Sequence, residues 1–273
     1  MVIYISDNLE LSKKIVKLKQ NIENIHIIVD FDRTLTKAFV KGVKVHTLFG
    51  QLLNHLGKKY CDVFDELYKK YQPIEISDIP IEEKIPKMID WWKILIQTSI
   101  DEGISKEIIS KIIKDNKIYL REGAIDFFNK INKKNFPILI FSAGLGDIIS
   151  DFLKSKKIFS ENIYIISNFF IFGNNGKATG TKQPLVYSFN KNEFLVRKSP
   201  YFSVIEKRKN VILLGDLIED AKMADGLNHD CIIKIGFLNN SEDLASFKKV
   251  YDIVITEDGS FEAVNNLLDK ILN

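Results

Sequence analysis

"IVDFDRTLT", residues 28–36, runs an apolar segment into two aspartates that straddle one phenylalanine. The largely apolar "IHIIVD", Ile25 to Asp30, predicts a buried strand, and an unpaired carboxylate leaving such a strand is expensive. Asp30 and Asp32 therefore call for a use at the strand's carboxyl end.

Similar segments recur downstream. "FPILIFSAGLGD" predicts a buried strand, Pro137 to Phe141, that breaks into a small-residue turn at Ser142, Ala143 and Gly144. "IYIISN" (163–168) predicts a third, and "NVILLGDLIEDAKMADG" a fourth, from Val211 to Leu214, running into a Gly-Asp turn and then a helix. "CIIKIGF" and "YDIVIT" supply two more, and residues 8–23 read as an amphipathic helix. Strands alternating with helices predict an α/β fold with a doubly wound, mostly parallel sheet. Ligands in such sheets bind beyond the strands' carboxyl ends, where the strand order switches, and Asp30, Ser142 and Asp216 all fall there.

Residues 37–120 are too many for a crossover loop and carry long helical patterns with turn punctuation at "QPIEISDIP". They read as a helical cap inserted after the first strand, leaving 1–36 and 121–273 as the catalytic core. No internal repeat or low-complexity tract interrupts this plan.

Composition narrows the function classes. A chain of 273 residues with 45% hydrophobic and 11% aromatic content can bury a sizeable core. Its net charge of +3 and interleaved lysines and acids give no stripe suited to a nucleic acid polymer. Cys61 and Cys231 have neither CxxC nor metal-type spacing, which predicts a disulfide-free protein of a reducing compartment. The opening "MVIYISDNLELSKKIVKLKQ" lacks the basic start and apolar core of a signal peptide. No stretch reaches the roughly 18 unbroken apolar residues of a membrane span. A cytoplasmic, monomeric protein that does not enter a membrane is the expectation.

Singly, Asp30 or Asp216 reads as a strand-end turn residue or helix N-cap, Ser142 as a helix cap, and Lys191 in "NKNE" as an exposed lysine. Their order along the chain reverses that judgement. Asp-x-Asp-x-Thr after a strand, a strand ending in Ser, an isolated Lys and Gly-Asp-x-x-x-Asp after another strand form a set of four. The set resembles the haloacid-dehalogenase-like superfamily of phosphohydrolases. There Asp30, Asp32 and Thr34 match the first motif, Ser142 the second, Lys191 the third, and Asp216 with Asp220 the fourth. From about residue 25 onward, "FSAGLGD", "FNK", "LLGD…MADG", "KIGFLN" and "YDIVI" are similar to the cytosolic pyrimidine 5′-nucleotidase family, including its 7-methylguanosine-phosphate-preferring branch. "PIEI" (73–76), "EEK" (82–84) and "WW" (91–92) resemble that family's cap motifs.

The chemistry also follows from the residue types. Hydrolysing a phosphate monoester requires an in-line nucleophile, neutralisation of the phosphoryl oxygens and protonation of the leaving alkoxide. Asp30 is placed to attack phosphorus and give an aspartyl-phosphate; Asp32, two residues on, to protonate the leaving oxygen and later take a proton from water. The two must hold opposite protonation states in the first step, so their environments must separate them. Mg²⁺ prefers octahedral oxygen ligands, and Asp30, the Asp32 carbonyl and Asp216, with Asp220 through water, are the expected donors. Ser142, the neighbouring backbone N–H groups including that of Ala143, and Lys191 would meet the phosphoryl oxygens, while Thr34 would fix the loop. The family resemblance implies that Glu75 lies near the base and that Trp92 stacks on it. Trp91 and Trp92 point about 100° apart on a helix, so Trp91 is the expected core residue.

Other features read as structure. Glu75 sits between Ile74 and Ile76 as in an extended segment with one solvent face. His26, His46, His55 and His229 show no metal-ligand spacing, and "NFFIF" (168–172) reads as core or a hairpin flank. Three positions depart from the family pattern: Arg33 stands where an uncharged residue is usual, and Leu217 and Glu219 replace small or polar residues. In the cap, Leu95 falls where the family has a polar stretch.

The resulting expectation is a Mg²⁺-dependent 5′-nucleotidase acting on pyrimidine nucleoside monophosphates, with possible phosphoryl transfer to a second nucleoside. A 7-methyl-GMP-preferring enzyme, or a phosphatase for another small phosphate ester, keeps the same chemistry. A nucleotide-binding regulator without turnover is the reading from a different class.

Overall fold

The computed structural model describes residues 1–239 and 243–273, apart from the side chain of residue 193. The described strands are β1 (Ile3–Ile5), β2 (Ile25–Val29), β3 (Phe39–Val40), β4 (Val43–Lys44), β5 (Ile138–Leu145), β6 (Ile163–Asn168), β7 (Phe170–Phe172), β8 (Ala178–Thr181), β9 (Asn210–Gly215), β10 (Cys231–Leu238) and β11 (Ile253–Thr256). Seven of them form one sheet in the order β1-β11-β10-β9-β2-β5-β6. Every described pairing within it is parallel except that of β1 with β11.

Every residue of β2 and β9 is buried, as expected for strands with helices on both faces. β2 lies between β9 and β5, in register Val29↔Leu214 and Val29↔Ile140. The chain leaves β2 to build β5 and β6 on one side and β9, β10 and β11 on the other. The order therefore switches at β2, and the carboxyl ends of β2, β5 and β9 lie side by side. The edge strand β1 has no counterpart in the sequence reading: three residues with one half-buried side chain carry too little period-2 signal.

Between Thr36 and Leu120 the chain forms three long helices, Lys58–Glu75, Ile81–Asp101 and Lys106–Asp115. Entry to and exit from this segment run together: Thr36 bridges to Leu120, and the Lys37 N–H donates to the Tyr119 carbonyl at 2.8 Å. The third helix is stopped at both ends by local chemistry, with the Ser105 hydroxyl accepting from the Ile108 N–H and Asn116 left-handed at its C-cap.

Several expected elements differ. The first helix ends at Gln20, and a separate 3₁₀ turn covers Ile22–Asn24. Ser142, Ala143 and Gly144 do not leave β5; the strand continues to Leu145 across a register shift before the next helix opens at Gly146. After β9 there is a short 3₁₀ turn, Glu219–Lys222, in place of a full helix, while Met223 and Ala224 pack into the core on one face of the sheet. Glu75 ends a long helix that runs through Pro73. The Ile74-Glu75-Ile76 alternation reads as extended, yet the helix runs past Pro73 to Glu75, packed against helix Ile81–Asp101. Phe170–Phe172 pairs with β8 as a hairpin. Both cysteines are free, and among the described residues no helix is long and apolar enough to cross a membrane.

At the opposite end of β2, His26 is buried beside Tyr201 and His229. The Tyr201 hydroxyl donates to the Ile27 carbonyl at 3.0 Å, so it accepts from His26 Nδ1–H at 2.7 Å. The His26 and His229 ring centroids lie 5.2 Å apart. Burial pulls His26 well below 6.5 and His229 down to about 4, so both stay neutral in the folded chain. An unfolded histidine gains its proton near pH 6.5, and acid below that value therefore favours unfolding. Between about pH 7.5 and pH 5, His229→Gln should lose less melting temperature than the parent; equal losses would refute the assignment.

Candidate active site

The carboxyl ends of β2, β5 and β9 bring together the residues that the sequence singles out. Asp30 follows β2 directly, and its backbone N–H donates to the Leu214 carbonyl of β9 at 3.0 Å. Asp216 follows β9, and Ser142 lies within β5. Carboxylate oxygens of Asp30, Asp216 and Asp220 lie within 4.8 Å of one another. Asp30 and Asp220 are almost wholly buried.

Lys191 crosses to this cluster from the loop before helix Glu193–Arg197. Its Nζ donates to Asp30 Oδ1 at 2.5 Å and to Asp220 Oδ1 at 2.9 Å. Only 7% of Lys191 is exposed, against the ordinary expectation for a lysine in "NKNE". The loop is fixed by two asparagines that the sequence reading passed over. The Asn190 side chain accepts from the Tyr187 N–H and donates to the Leu185 carbonyl, while Asn168 bonds both backbone groups of Val186 and donates to the Ala143 carbonyl. Asparagine is common in this chain, and composition alone did not mark these two.

The other oxygen of Asp220 accepts from the N–H groups of Asp216 and Leu217, both at 3.1 Å. Thr34 Oγ1 donates to Asp216 Oδ1 at 3.4 Å. Asp32 is outside the three-carboxylate group; its oxygens accept from the Leu48 N–H at 3.2 and 3.4 Å. Ser142 Oγ accepts from the Gly144 N–H at 3.0 Å. A second carboxyl oxygen of Asp30 is buried without a hydrogen-bond partner.

Three clustered carboxylates share one lysine, and burial opposes the charge on the site. Burial raises Asp30 to about 7, with Lys191 pulling it back and Asp220 adding to the rise. Burial raises Asp32 to about 6 against the Leu48 N–H, and lifts Asp216 well above the carboxylate range, with Asp30 and Asp220 adding to it. Lys191 is held above its usual value despite burial, by Asp220 and Asp30. The unpartnered Asp30 oxygen within a triad of carboxylates fits a hard divalent cation.

The loop after Asp30 is pinned by a residue absent from the sequence reading. Arg121 has no exposed side-chain surface and pairs with Asp258 at 2.9 Å. Its Nε donates to the Thr34 carbonyl at 2.8 Å, Nη1 to Gly259 O at 2.8 Å, and Nη2 to Arg33 O and, at 2.6 Å, to Asn239 Oδ1. Asp258 in turn accepts from the N–H groups of Ala38 and Phe39. No motif spacing links residues 33, 121, 239 and 258, so only the tertiary fold reveals this clamp.

Beside the cluster is a cavity of about 170 Å³ walled by Phe49, Phe64, Tyr68, Trp91, Trp92 and Leu95. Both tryptophans reach it, correcting the assignment of Trp91 to core alone: the rings meet edge-on at 4.6 Å, so their large side chains present two adjoining surfaces. Trp92 Nε1 donates to the Ala143 carbonyl at 2.9 Å. Glu75 enters the same cavity. Its carboxyl is raised by burial, opposed by a hydrogen bond from Ser188, and its backbone carbonyl accepts from Lys84 Nζ at 3.0 Å. Helical spacing thus delivers a buried carboxyl where the extended reading expected a solvent face.

The pyrimidine 5′-nucleotidase (UMPH-1) family description matches residues 33–272. The human 7-methylguanosine phosphate-specific 5′-nucleotidase is 36% identical over 256 residues, covering 92% of this chain and 85% of that protein. The Xenopus laevis protein 7-methylguanosine phosphate-specific 5′-nucleotidase A is 34% identical over 271 residues, covering 96% and 92%. Among solved structures, cytosolic 5′-nucleotidase IIIB bound to cytidine superposes with a TM-score of 0.88 at 30% identity, covering 98% of this chain and 93% of that one. Phosphoserine phosphatase in apo form, at 17% identity and a TM-score of 0.50 over 89% and 97%, shares the fold. Together with the four ordered motifs around one acidic cluster, these matches place the chain in the pyrimidine 5′-nucleotidase (UMPH-1) family of haloacid-dehalogenase-like phosphohydrolases.

Proposed function

We propose that this protein is a Mg²⁺-dependent 5′-nucleotidase that releases phosphate from pyrimidine nucleoside monophosphates, CMP and UMP, in the cytoplasm and as a monomer. The observation that carries the reading is the convergence of Asp30, Asp216, Asp220 and Lys191 at one rim, beside a cavity large enough for an aromatic ring.

In this reading Asp30 attacks phosphorus, and the bond to the 5′ oxygen breaks as Asp32 delivers its proton. Water then hydrolyses the aspartyl-phosphate, with Asp32 accepting a proton. Ser142, the Ala143 N–H and Lys191 meet the phosphoryl oxygens. Asp30, the Asp32 carbonyl, Asp216 and Asp220 would hold Mg²⁺, which supplies charge neutralisation at the phosphoryl group. Residues 37–120 act as the cap, with Glu75 and Trp92 on the base. Capture of the same intermediate by a nucleoside hydroxyl would give phosphotransferase activity, read as labelled phosphate appearing in added nucleoside.

A second reading, preference for 7-methyl-GMP, is favoured by the names of the relatives and by a carboxyl beside an aromatic wall, which suits a cationic base. Phosphate release from CMP, UMP, 7-methyl-GMP and AMP under identical conditions separates the two: the pyrimidine reading expects CMP and UMP ahead of 7-methyl-GMP and AMP by roughly tenfold or more, and the second reading expects 7-methyl-GMP ahead of the other three. Faster release from phosphoserine than from any nucleotide would overturn both readings.

Mg²⁺ should also raise the melting temperature, because it binds the folded acidic cluster and not the unfolded chain. Chelation should abolish turnover reversibly. A melting temperature indifferent to Mg²⁺ at millimolar concentrations would sink the assigned ligands.

A further inference from the structure

The loop between β8 and helix Glu193–Arg197 carries two side chains to the site. Lys191 reaches Asp30 and Asp220. Ser188, three residues earlier, meets the cap, where its hydroxyl donates to Glu75 Oε1. The loop between them is a closed turn: the Tyr187 N–H donates to Asn190 Oδ1 at 2.8 Å, the Asn190 N–H returns to the Tyr187 carbonyl at 3.2 Å, and Asn190 Nδ2 donates to the Leu185 carbonyl at 2.7 Å. Beside Ser188, the Phe189 ring centroid lies 5.4 Å from Lys84 Nζ, which donates to the Glu75 carbonyl at 3.0 Å. Glu75 is thus held at its backbone from within the cap and at its carboxyl from the core.

That grip uses one carboxyl oxygen. Among the described residues Oε2 of Glu75 makes no hydrogen bond and the carboxyl no ion pair, and Glu75 lines both the 170 Å³ cavity and an adjoining outer cleft of about 440 Å³. Ser188 is buried in the wall of the inner cavity. A serine hydroxyl has one proton to give, and a carboxylate accepts at both oxygens, so an acceptor stays open beside the aromatic wall. Cytosine, uracil and 7-methylguanine each carry at least one N–H on the Watson–Crick edge, the donor such an acceptor matches. A free glutamate must lose rotamer freedom on meeting a ligand; the Ser188 bond imposes that loss before substrate arrives.

We propose that Ser188 is a specificity-determining positioning residue: by binding one oxygen of Glu75, it aims the other at the N–H edge of a nucleobase seated against Trp91 and Trp92. Ser188 acts through Glu75 and not on the phosphoryl group. The inference rests on the 5′-nucleotidase reading above and holds for either base preference.

The test is a selectivity ratio measured on the Mg²⁺-loaded protein. It is kcat/KM for the preferred nucleotide among CMP, UMP and 7-methyl-GMP, divided by kcat/KM for ribose 5-phosphate, which has no base. Ser188→Ala should lower the ratio roughly tenfold, the size expected of a hydrogen bond to a charged group. Ser188→Thr, which keeps the hydroxyl, should recover most of it, and Ser188→Cys, a weak donor of similar size, should fall between. Glu75→Gln should also lower the ratio, and adding Ser188→Ala to Glu75→Gln should lower it no further. If the bond only braces the cap or the Lys191 loop, Ser188→Ala slows both esters alike; a ratio held at the parental value, or losses that add in the double variant, would overturn the inference and leave the nucleotidase reading intact. A parent that favours no nucleotide over ribose 5-phosphate would overturn the nucleotidase reading and this inference with it.

Discussion

Asp30→Asn should abolish turnover, by about 10⁴-fold or more, while leaving the fold as stable as the parent or more so. In the proposed reading the Asp30 carboxylate attacks phosphorus, and asparagine keeps its shape without its nucleophilicity. Stability should not suffer because the carboxyl sits among like charges, Asp216 and Asp220, and one of its oxygens has no partner. Lys191 keeps its bond to Asp220. Acid-quenching the parent during turnover of a radiolabelled phosphate ester should trap labelled protein, and the variant should trap none. An Asp30→Asn protein that still releases phosphate at near-parental rate would end the nucleophile assignment; one that binds nucleotide as well as a parent lacking turnover would favour a regulator.

Arg121→Met should instead unfold or severely destabilise the protein, by about 3–5 kcal/mol, the range expected when one partner of a buried ion pair is removed. The guanidinium is fully buried, and burial lowers it to about 10 with Asp258 and Asp216 holding it up. It therefore remains charged at neutral pH. Its loss would strand the carbonyls of Thr34 and Gly259, remove one of the two donors to the Arg33 carbonyl, and leave Asp258 without its cation. Denaturant melts should report the loss. Arg121→Lys should recover only a fraction, because an ammonium cannot span acceptors that a planar fork reaches. The double variant Arg121→Met with Asp258→Asn should be less destabilised than the sum of the single changes. Additive losses would mean that the two residues act separately.

These two residues mark what could be read at each level. The sequence by itself determined the strand-end placement of Asp30 and Asp216, because buried parallel strands are written as apolar runs ending in polar residues, whereas Ser142 proved to lie inside a strand that runs on to Leu145. It also determined the parallel α/β class and the presence of a long helical segment between β2 and β5. Only the tertiary structure decided that Lys191 is buried between Asp30 and Asp220, that Glu75 ends a helix, and that Trp91 shares the cavity wall with Trp92. It alone revealed the clamp of Arg121, Asp258 and Asn239. The physical reason is one of range. Strand patterning is a local property of the hydrophobic sequence, whereas the burial of a lysine, or the pairing of an arginine 137 residues away from its aspartate partner, depends on which distant segments the sheet brings together.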